Sequence, residues 1–511
     1  MTYETIIGLE IHIRPKTKTK MFCGCDNVVE DNATPNSAIC PICLGHPGTL
    51  PVVNKTAVEL GTMMALALNC KIPAESKFDR KNYFYPDLGK NYQISMYDRP
   101  IGVGGFVDVD VDGVSRKIGI TRLHLEEDAA KLIHSSDGTL IDFNRGGAPL
   151  MEIVTEPVIR SPQEAKAFLQ ELRLLARYLG VSDADMEKGQ LRCDANISLR
   201  PVELDESEPK LYPKTEIKNL NSFKAVEKAL EFEITRQTEL WEEKNPPMTL
   251  TTRGWDDTAQ KTYEQRTKEE AHDYRYFPEP DIAPLKFGMN VPKGSDVFDV
   301  AVLTARLPET PSAKRKRFVE EFGLSASDAR LIVEHKAASN FTEEVISELR
   351  AWLNDTEGSE EKGEKLWDAQ KKELAKLVAG WLTSKLYKLL NDAGISVHEC
   401  KITPENFAEL IVMIFKEQIN SATGQKVLEE MFKTGGDPSN IVKERGLTQE
   451  SDEGKILEAV QVVISGNASV VADYKSGKLN ALQFLAGQVM KATKGKANPQ
   501  IVQKLLKDKL G

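Results

Sequence analysis

Leu191-Arg-Cys-Asp-Ala-Asn-Ile-Ser-Leu-Arg200 alternates apolar and polar residues without a break. Successive side chains of an extended chain point to opposite faces. Leu191, Cys193, Ala195, Ile197 and Leu199 therefore line one face, and Arg192, Asp194, Asn196, Ser198 and Arg200 the other. The same period recurs upstream. Ile7-Gly-Leu-Glu-Ile-His-Ile-Arg14 sets Glu10, His12 and Arg14 against Leu9, Ile11 and Ile13, and Ile120-Thr-Arg-Leu-His-Leu-Glu-Glu-Asp128 sets Arg122, His124, Glu126 and Asp128 against Leu123 and Leu125. Lys214, Glu216 and Lys218 share a face in Lys214-Thr-Glu-Ile-Lys218, and Glu152 interrupts the otherwise apolar Pro149-Leu-Met-Glu-Ile-Val154. A single strand of this kind reads as half of a sheet with a wet outer face. Carboxylates, imidazoles and arginines recurring together on several strands point further, to an open sheet whose polar face binds a Mg-nucleotide: oxygen ligands suit Mg²⁺, and Arg and Lys suit phosphate oxygens.

Around these strands, the chain from Thr5 to about Asp281 reads as α+β with much antiparallel sheet. Helices predicted at Asn54 to Leu68, Ser161 to Leu179 and Asn221 to Trp241, with Asn or Ser caps, are expected to cover one sheet face. Beyond Pro284 to Asp299, segments rich in Ala, Leu, Glu and Lys predict an all-α remainder. Within it, Asp355-Thr-Glu-Gly-Ser-Glu-Glu-Lys-Gly-Glu-Lys365 reads as an exposed loop, and Thr403-Pro404-Glu405 as the start of a last unit. The expected domains are residues 1–295, 296–400 and 401–511. A length of 511 residues with 41% hydrophobic composition supplies several cores. The longest apolar runs are too short to cross a bilayer, so no membrane association is expected. The opening Met1-Thr-Tyr-Glu-Thr-Ile-Ile-Gly has no leader character, which reads as cytosolic. A net charge of −10 is the wrong sign for coating nucleic acid non-specifically. The tail differs: Lys475, Lys478, Lys491, Lys494, Lys496, Lys504, Lys507 and Lys509 stand against a lone Asp508, either a polyanion-binding face or a plain solvated one.

Cys23-Gly-Cys25 and Cys40-Pro-Ile-Cys43, fourteen residues apart, match a closed four-thiolate zinc knuckle, with free thiols as the alternative. With four sulfurs such a zinc is structural. The isolated Cys70, Cys193 and Cys400 read as packing residues. Phe78-Asp-Arg-Lys-Asn-Tyr-Phe-Tyr-Pro-Asp87 and Lys268-Glu-Glu-Ala-His-Asp-Tyr-Arg-Tyr-Phe-Pro-Glu-Pro-Asp281 interleave Tyr with Arg and Lys, fitting either a nucleotide clamp or a packed Tyr/Pro turn. There is no P-loop, no Rossmann fingerprint and no nucleophile elbow.

Tyr3-Glu-Thr-Ile-Ile-Gly-Leu-Glu-Ile-His12, Phe78 to Leu88, His124-Leu-Glu-Glu-Asp128, Leu191-Arg-Cys-Asp-Ala-Asn196, Glu216-Ile-Lys-Asn-Leu-Asn-Ser222 and Asp273-Tyr-Arg-Tyr-Phe-Pro-Glu-Pro-Asp281 resemble, in that order, the B subunits of bacterial tRNA-dependent amidotransferases. Gly477-Lys478 and Phe484 to Pro499 are similar to that family's α-helical YqeY-like tail, which contacts tRNA. The resemblance implies a glutamine-synthetase-like catalytic domain. It implies a ligase that amidates Glu-tRNA(Gln) or Asp-tRNA(Asn) through an acyl phosphate, using ATP and Mg²⁺, beside the structural Zn²⁺ that the cysteine spacing suggests. Ammonia would come from an amidase-type glutaminase A subunit, with a small C subunit completing a heterotrimer. Implied Mg²⁺ ligands are Glu10, His12, His124, Glu126, Glu152, Asp194 and Glu216, with Glu127 behind them or deprotonating ammonia. Arg80, Lys81, Arg200, Lys218 and Arg275 are implied for phosphates and developing charge. Departures from the family pattern are the acidic insertion Leu204 to Pro213, Val158 and Ala130, none on the expected metal face. Two other functions compete: a tRNA-independent glutamine-synthetase-like ligase acting on a small acid, and a non-catalytic zinc-bearing RNA-binding scaffold.

Overall fold

The computed structural model describes residues 2–27, 33–202, 211–268, 273–356, 360–447, 453–475, 478, 480–493, 497 and 499–510. The chain divides into two units, Met1–Pro311 and Ser312–Gly511.

The first unit is built on an eleven-stranded sheet. Its strands are β1 (Tyr3–Ile13), β2 (Asp79–Asn82), β3 (Tyr92–Ser95), β4 (Gly102–Val111), β5 (Val114–Glu127), β6 (Pro149–Thr155), β7 (Leu191–Pro201), β8 (Thr215–Leu220), β9 (Leu250–Asp256), β10 (Lys261–Lys268) and β11 (Phe277–Pro278). Their order is β10-β9-β8-β7-β1-β6-β5-β3-β2-β11, with β4 paired to β5. Every pairing is antiparallel except β8 with β9. The predicted helices are α1 (Lys55–Ala67), α2 (Pro162–Tyr178) and α3 (Phe223–Glu242), capped by the side chains of Asn54, Ser161 and Ser222.

All three helices pack on the apolar side of the sheet. Val58 and Met64 of α1, Phe168 and Leu172 of α2, and Val226 and Leu230 of α3 join Leu9, Ile11, Leu123, Leu125, Ile153, Ala195 and Ile197 in one core. The approach of α1 is close: a Cβ on Gly61 would stand 2.8 Å from Leu125 Cδ2. With one face sealed, the alternation that buries Leu9 and Ile11 must send Glu10 and His12 to the other.

The strands Leu285–Gly288 and Val297–Asp299 pair with each other, and the former with Glu75–Ser76. The helix Val300–Ala305 follows, with Arg306 ion-paired to Glu59 at 3.0 Å. The first unit thus reaches past the boundary expected at residue 295, because this segment completes a small sheet that composition alone does not reveal.

The second unit is helical. The run 355–365 is not the exposed loop expected: helix Lys336–Thr356 extends into it and helix Glu360–Trp381 begins within it, while 357–359 lie outside the described residues. Glu and Lys lack a buried face but are strong helix formers. The bidentate pair between Arg350 and Glu364, at 2.9 and 2.8 Å, ties the two helices. Thr403 caps helix Pro404–Phe415 as read. At the C-terminal end, Val460, Leu485, Val489, Val502 and Leu506 form a separate core. Lys475, Lys478, Lys491, Lys504, Lys507 and Lys509 are exposed, whereas Lys494, Lys496 and Gly477 lie outside the described residues. Among the described residues no single helix is long and apolar enough to cross a membrane.

Candidate functional site

The register of β1 against its neighbours assembles the polar face. Glu10 lies opposite Asp194 on β7, His12 opposite Glu152 on β6, and Glu152 in turn opposite His124 on β5. Four side chains from three strands meet there. His12 Nε2 stands 3.2 Å from Glu126 Oε1 and 3.4 Å from Glu152 Oε2, and His124 Nε2 stands 3.2 Å from Glu152 Oε2. Glu10, His12 and Glu152 offer ligand atoms within 4.8 Å of one another, and so do His124, Glu126 and Glu152. Ser95 Oγ donates to Glu126 Oε2 at 3.1 Å.

The electrostatics follow from burying opposite charges together. Burial opposes charge on His12, but its hydrogen bonds to Glu126 and Glu152 prevail and raise it well above the imidazole range. The same contest, with Glu152 as the strongest favourable charge, carries His124 to about 9. Glu126 and Glu152 resist burial through the imidazoles and are lowered, whereas burial and the neighbouring Glu152 raise Glu10. Imidazolium protons thus neutralise the carboxylates where a cation would do so. The buried Nδ1 of His124 and Nε of Arg122 have no hydrogen-bond partner among the described residues. Such a donor set can hold divalent cations.

Lysines flank this group. Lys81 Nζ lies 4.9 Å from the Tyr274 ring centre, and despite burial the Glu126 and Glu152 charges raise its pKa. Lys218 binds Asp194 Oδ2 at 2.5 Å and Glu216 Oε1 at 3.1 Å, while Thr252 donates to Glu216 Oε2. Asp194 and Glu216 are therefore held by Lys218 and lie outside both cation-sized groups.

Other expected residues are placed elsewhere. Glu127 follows Glu126 in an extended strand and so points to the opposite face, where Lys90 Nζ (2.7 Å) and Ile94 N (2.9 Å) donate to it. Arg80, next to Lys81, likewise turns away: it pairs bidentately with buried Glu279 and lies 4.4 Å from the Tyr92 ring centre. Arg200 lies opposite Glu4 and binds it through Nε at 2.7 Å, six residues, or about 20 Å of extended strand, from Asp194. Arg275 is exposed, with φ +45 in the turn after Asp273, and residues 269–272 before it lie outside the described residues. The sequence reading missed Ser95 and Arg145, whereas Tyr276 belongs to the Tyr-rich run it singled out. Tyr276 stacks on Tyr97 at 4.1 Å, and Arg145 joins Arg192 on Asp128. Arg192 and Asp128 carried the alternation signal, whereas Arg145 sits in a loop with no period to betray it.

The four knuckle thiols also meet, all within 4.8 Å and none in a disulfide. Cys40 N donates to Cys43 Sγ at 3.2 Å, and Lys20 Nζ lies 3.8 Å from the same sulfur. A hydrogen bond from Cys23 pulls Cys43 down to about 4 and pushes Cys23 up. One thiolate already stabilised amid three further sulfurs fits a soft tetrahedral ion. Cys70 and Cys193 are buried, as packing residues should be.

Fold and site together describe an open-sheet protein with a buried imidazole–carboxylate centre and an attached thiol knuckle, followed by a helical unit. Comparison with known proteins finds the GatB/GatE catalytic domain over residues 5–292 and the GatB domain over residues 364–510. The chain is 46% identical over 513 residues to the B subunit of the aspartyl/glutamyl-tRNA(Asn/Gln) amidotransferase of Carboxydothermus hydrogenoformans, covering 99% of each. It is 47% identical over 510 residues to the corresponding protein of Brevibacillus brevis, again covering 99% of each. With the Persephonella marina protein of the same name it shares 45% over 510 residues, covering 100% of each. The chain belongs to this family of amidotransferase B subunits.

Proposed function

We propose that the chain amidates Glu-tRNA(Gln), Asp-tRNA(Asn) or both, in two steps at the polar face of the sheet. The side-chain carboxylate of the misacylated residue attacks the γ-phosphorus of ATP, forming an acyl phosphate and releasing ADP. Ammonia then attacks the acyl carbon, phosphate leaves with the C–O bond electrons, and the added nitrogen gives up a proton. A carboxylate resists amines because its charge repels them and oxide is a poor leaving group; phosphorylation removes both obstacles. No protein nucleophile is required, so catalysis rests on positioning and charge neutralisation.

The observation that carries this reading is the convergence of His12, His124, Glu126 and Glu152, with Glu10 beside them and Lys81 and Lys218 at the flanks. Glu10, His12, His124, Glu126 and Glu152 would hold Mg²⁺, which screens phosphate charge when bound. Lys81 and Lys218 are assigned to the phosphates. Asp194 and Glu216 position Lys218, and exposed Arg275 is kept for the incoming polyanion. Glu127 is assigned to ammonia arriving on its own side of β5. The knuckle Cys23, Cys25, Cys40 and Cys43 would hold structural Zn²⁺. We take the first unit as glutamine-synthetase-like and the lysine-bearing C-terminal helices as a YqeY-like tRNA contact. The ammonia source is a separate amidase-type A subunit, with a small C subunit in the complex, in the cytoplasm.

The test uses the full chain with its glutaminase partner and misacylated tRNA whose side-chain carboxylate carries heavy oxygen. One heavy oxygen per turnover should appear in the released phosphate, and Glu10→Ala should abolish amidation while leaving the complex assembled. Unlabelled phosphate, or full activity in that variant, contradicts the reading.

A further inference from the structure

Lys20 is one of the largest side chains that the fold buries completely. An ammonium taken out of water is costly unless a negative charge faces it. Among the described residues no carboxylate forms an ion pair with Lys20. Its Nζ donates to the carbonyl oxygen of Phe143 at 3.1 Å and stands 3.8 Å from Cys43 Sγ. The carbonyl supplies a dipole and no charge. Of these two partners, the sulfur is the one that can carry a full negative charge.

The backbone around Lys20 aims the ammonium at this sulfur. Lys20 N donates to Cys25 O at 2.9 Å, so the residue belongs to the turn that carries the first Cys pair, while its side chain crosses to the second pair. Asn54, the N-cap of α1, donates through Nδ2 to Lys20 O at 3.2 Å. Met21 N donates to Gly147 O at 2.8 Å, in the turn before β6. Gly147 has φ +83, in the left-handed region, and a Cβ there would stand 3.5 Å from both Cys43 Cβ and Lys20 Cδ. The helix cap, the first Cys pair and the turn before β6 therefore fix the lysine stem from three sides.

Four thiolates bring twice the charge that one Zn²⁺ cancels, so a loaded knuckle keeps an excess of negative charge. Cys23 and Cys43 are buried, where water screens that excess poorly. The Cys40 amide relieves part of it by donating to Cys43 Sγ at 3.2 Å. We propose that Lys20 is a positioning residue of the knuckle: its ammonium offsets the zinc–thiolate charge at Cys43 and holds that sulfur at its corner of the tetrahedron. The proposal rests on the zinc assignment given above and adds to it a residue outside the four ligands that sets the metal affinity.

The experiment measures the zinc Kd of the full chain at fixed pH, by competition with a chromophoric chelator, and the thiolate-to-metal charge-transfer band of the Co²⁺-loaded protein. Lys20→Gln keeps an N–H donor for the Phe143 carbonyl but loses the charge. It should raise the zinc Kd by about tenfold or more. Its Co²⁺ band should move to longer wavelength, because a thiolate without its cation gives up an electron more easily. Lys20→Met should behave in the same way. Lys20→Arg, which keeps the charge, should bind zinc within about threefold of wild type. A purely structural lysine predicts something else: equal losses of melting temperature with and without zinc, an unchanged Kd and an unmoved band. That result in the neutral variants overturns the proposal while leaving the zinc assignment intact, and so does an Arg variant that binds as weakly as Lys20→Gln. If neither neutral variant folds, Lys20→Arg decides, since a guanidinium spreads its charge and should shift the Co²⁺ band; a band at the wild-type wavelength overturns the proposal. Wild type that binds neither zinc nor cobalt removes the zinc assignment itself, and the proposal with it.

Discussion

Two ligand clusters in the first unit are built by opposite means. The thiols lie within one short stretch, Cys23 to Cys43, in a loop with no sheet ladder of its own, among the described residues, between the two Cys pairs. The imidazole–carboxylate cluster draws on positions as far apart as Glu10 and Glu152, but each stands on a strand whose register is fixed by neighbours on both sides. On the proposed reading the loop is tied by a bound ion, whereas the sheet cluster is held by strand pairing and by its own imidazole–carboxylate contacts. The proposed function makes one a device for stability and the other for chemistry, and variants should separate them.

The largest effect is expected from Glu152→Gln, since this carboxylate contacts both His12 and His124. Amidation should fall by about 10²- to 10³-fold, the scale seen when one preorganised electrostatic group is lost, in a chain that still folds and keeps its zinc, although its melting temperature drops because two buried imidazoles lose their shared carboxylate. Steady-state kinetics beside a thermal melt check both halves. Cys43→Ser should give the opposite signature: bound zinc lost by metal analysis and a clearly lower melting temperature, with the folded fraction still active. A variant that keeps zinc and stability would show that the knuckle does not depend on this thiol.

Lys218→Met removes the cation between Asp194 and Glu216. About tenfold weaker MgATP affinity is expected, the worth of one charge-assisted contact, with little change in the tRNA KM. The smallest effect concerns pH. His124 sits at about 9 against a reference of 6.5, so the metal-free protein has this stabilisation in full below the reference value and loses it as pH rises through 9. A divalent cation must displace that proton, so metal affinity should tighten from pH 7 to 9. Calorimetric titration of metal at the two values measures it, and a flat response would mean that His124 is not a ligand.

How far these clusters are legible in the sequence follows from the same contrast. The knuckle is readable from spacing alone, because short Cys pairs leave few other geometries. Glu10, His12, His124, Glu126 and Glu152 are readable because one buried face enforces a period of two, and their polar residues can only point the other way. Arg80 shows where the reading runs past the alternation rule: it adjoins Lys81, extended backbone separates neighbours, and it pairs with Glu279 instead. Arg200 shares the face of Asp194, but its pairing with Glu4 depends on how β1 registers against β7, which no single strand reveals. In the run 355–365, composition shows the absence of a buried face, and helix forms there without one because Glu and Lys propagate it well.

The most direct measurement is binding of Mn²⁺, as a spectroscopic stand-in for Mg²⁺, to the full chain with ATP, followed by electron paramagnetic resonance. The account expects bound Mn²⁺ with nitrogen hyperfine coupling from His12 or His124, lost in Glu152→Gln although the variant remains folded. Undiminished, nitrogen-coupled binding in that variant would contradict it, and so would wild-type binding without any imidazole signature.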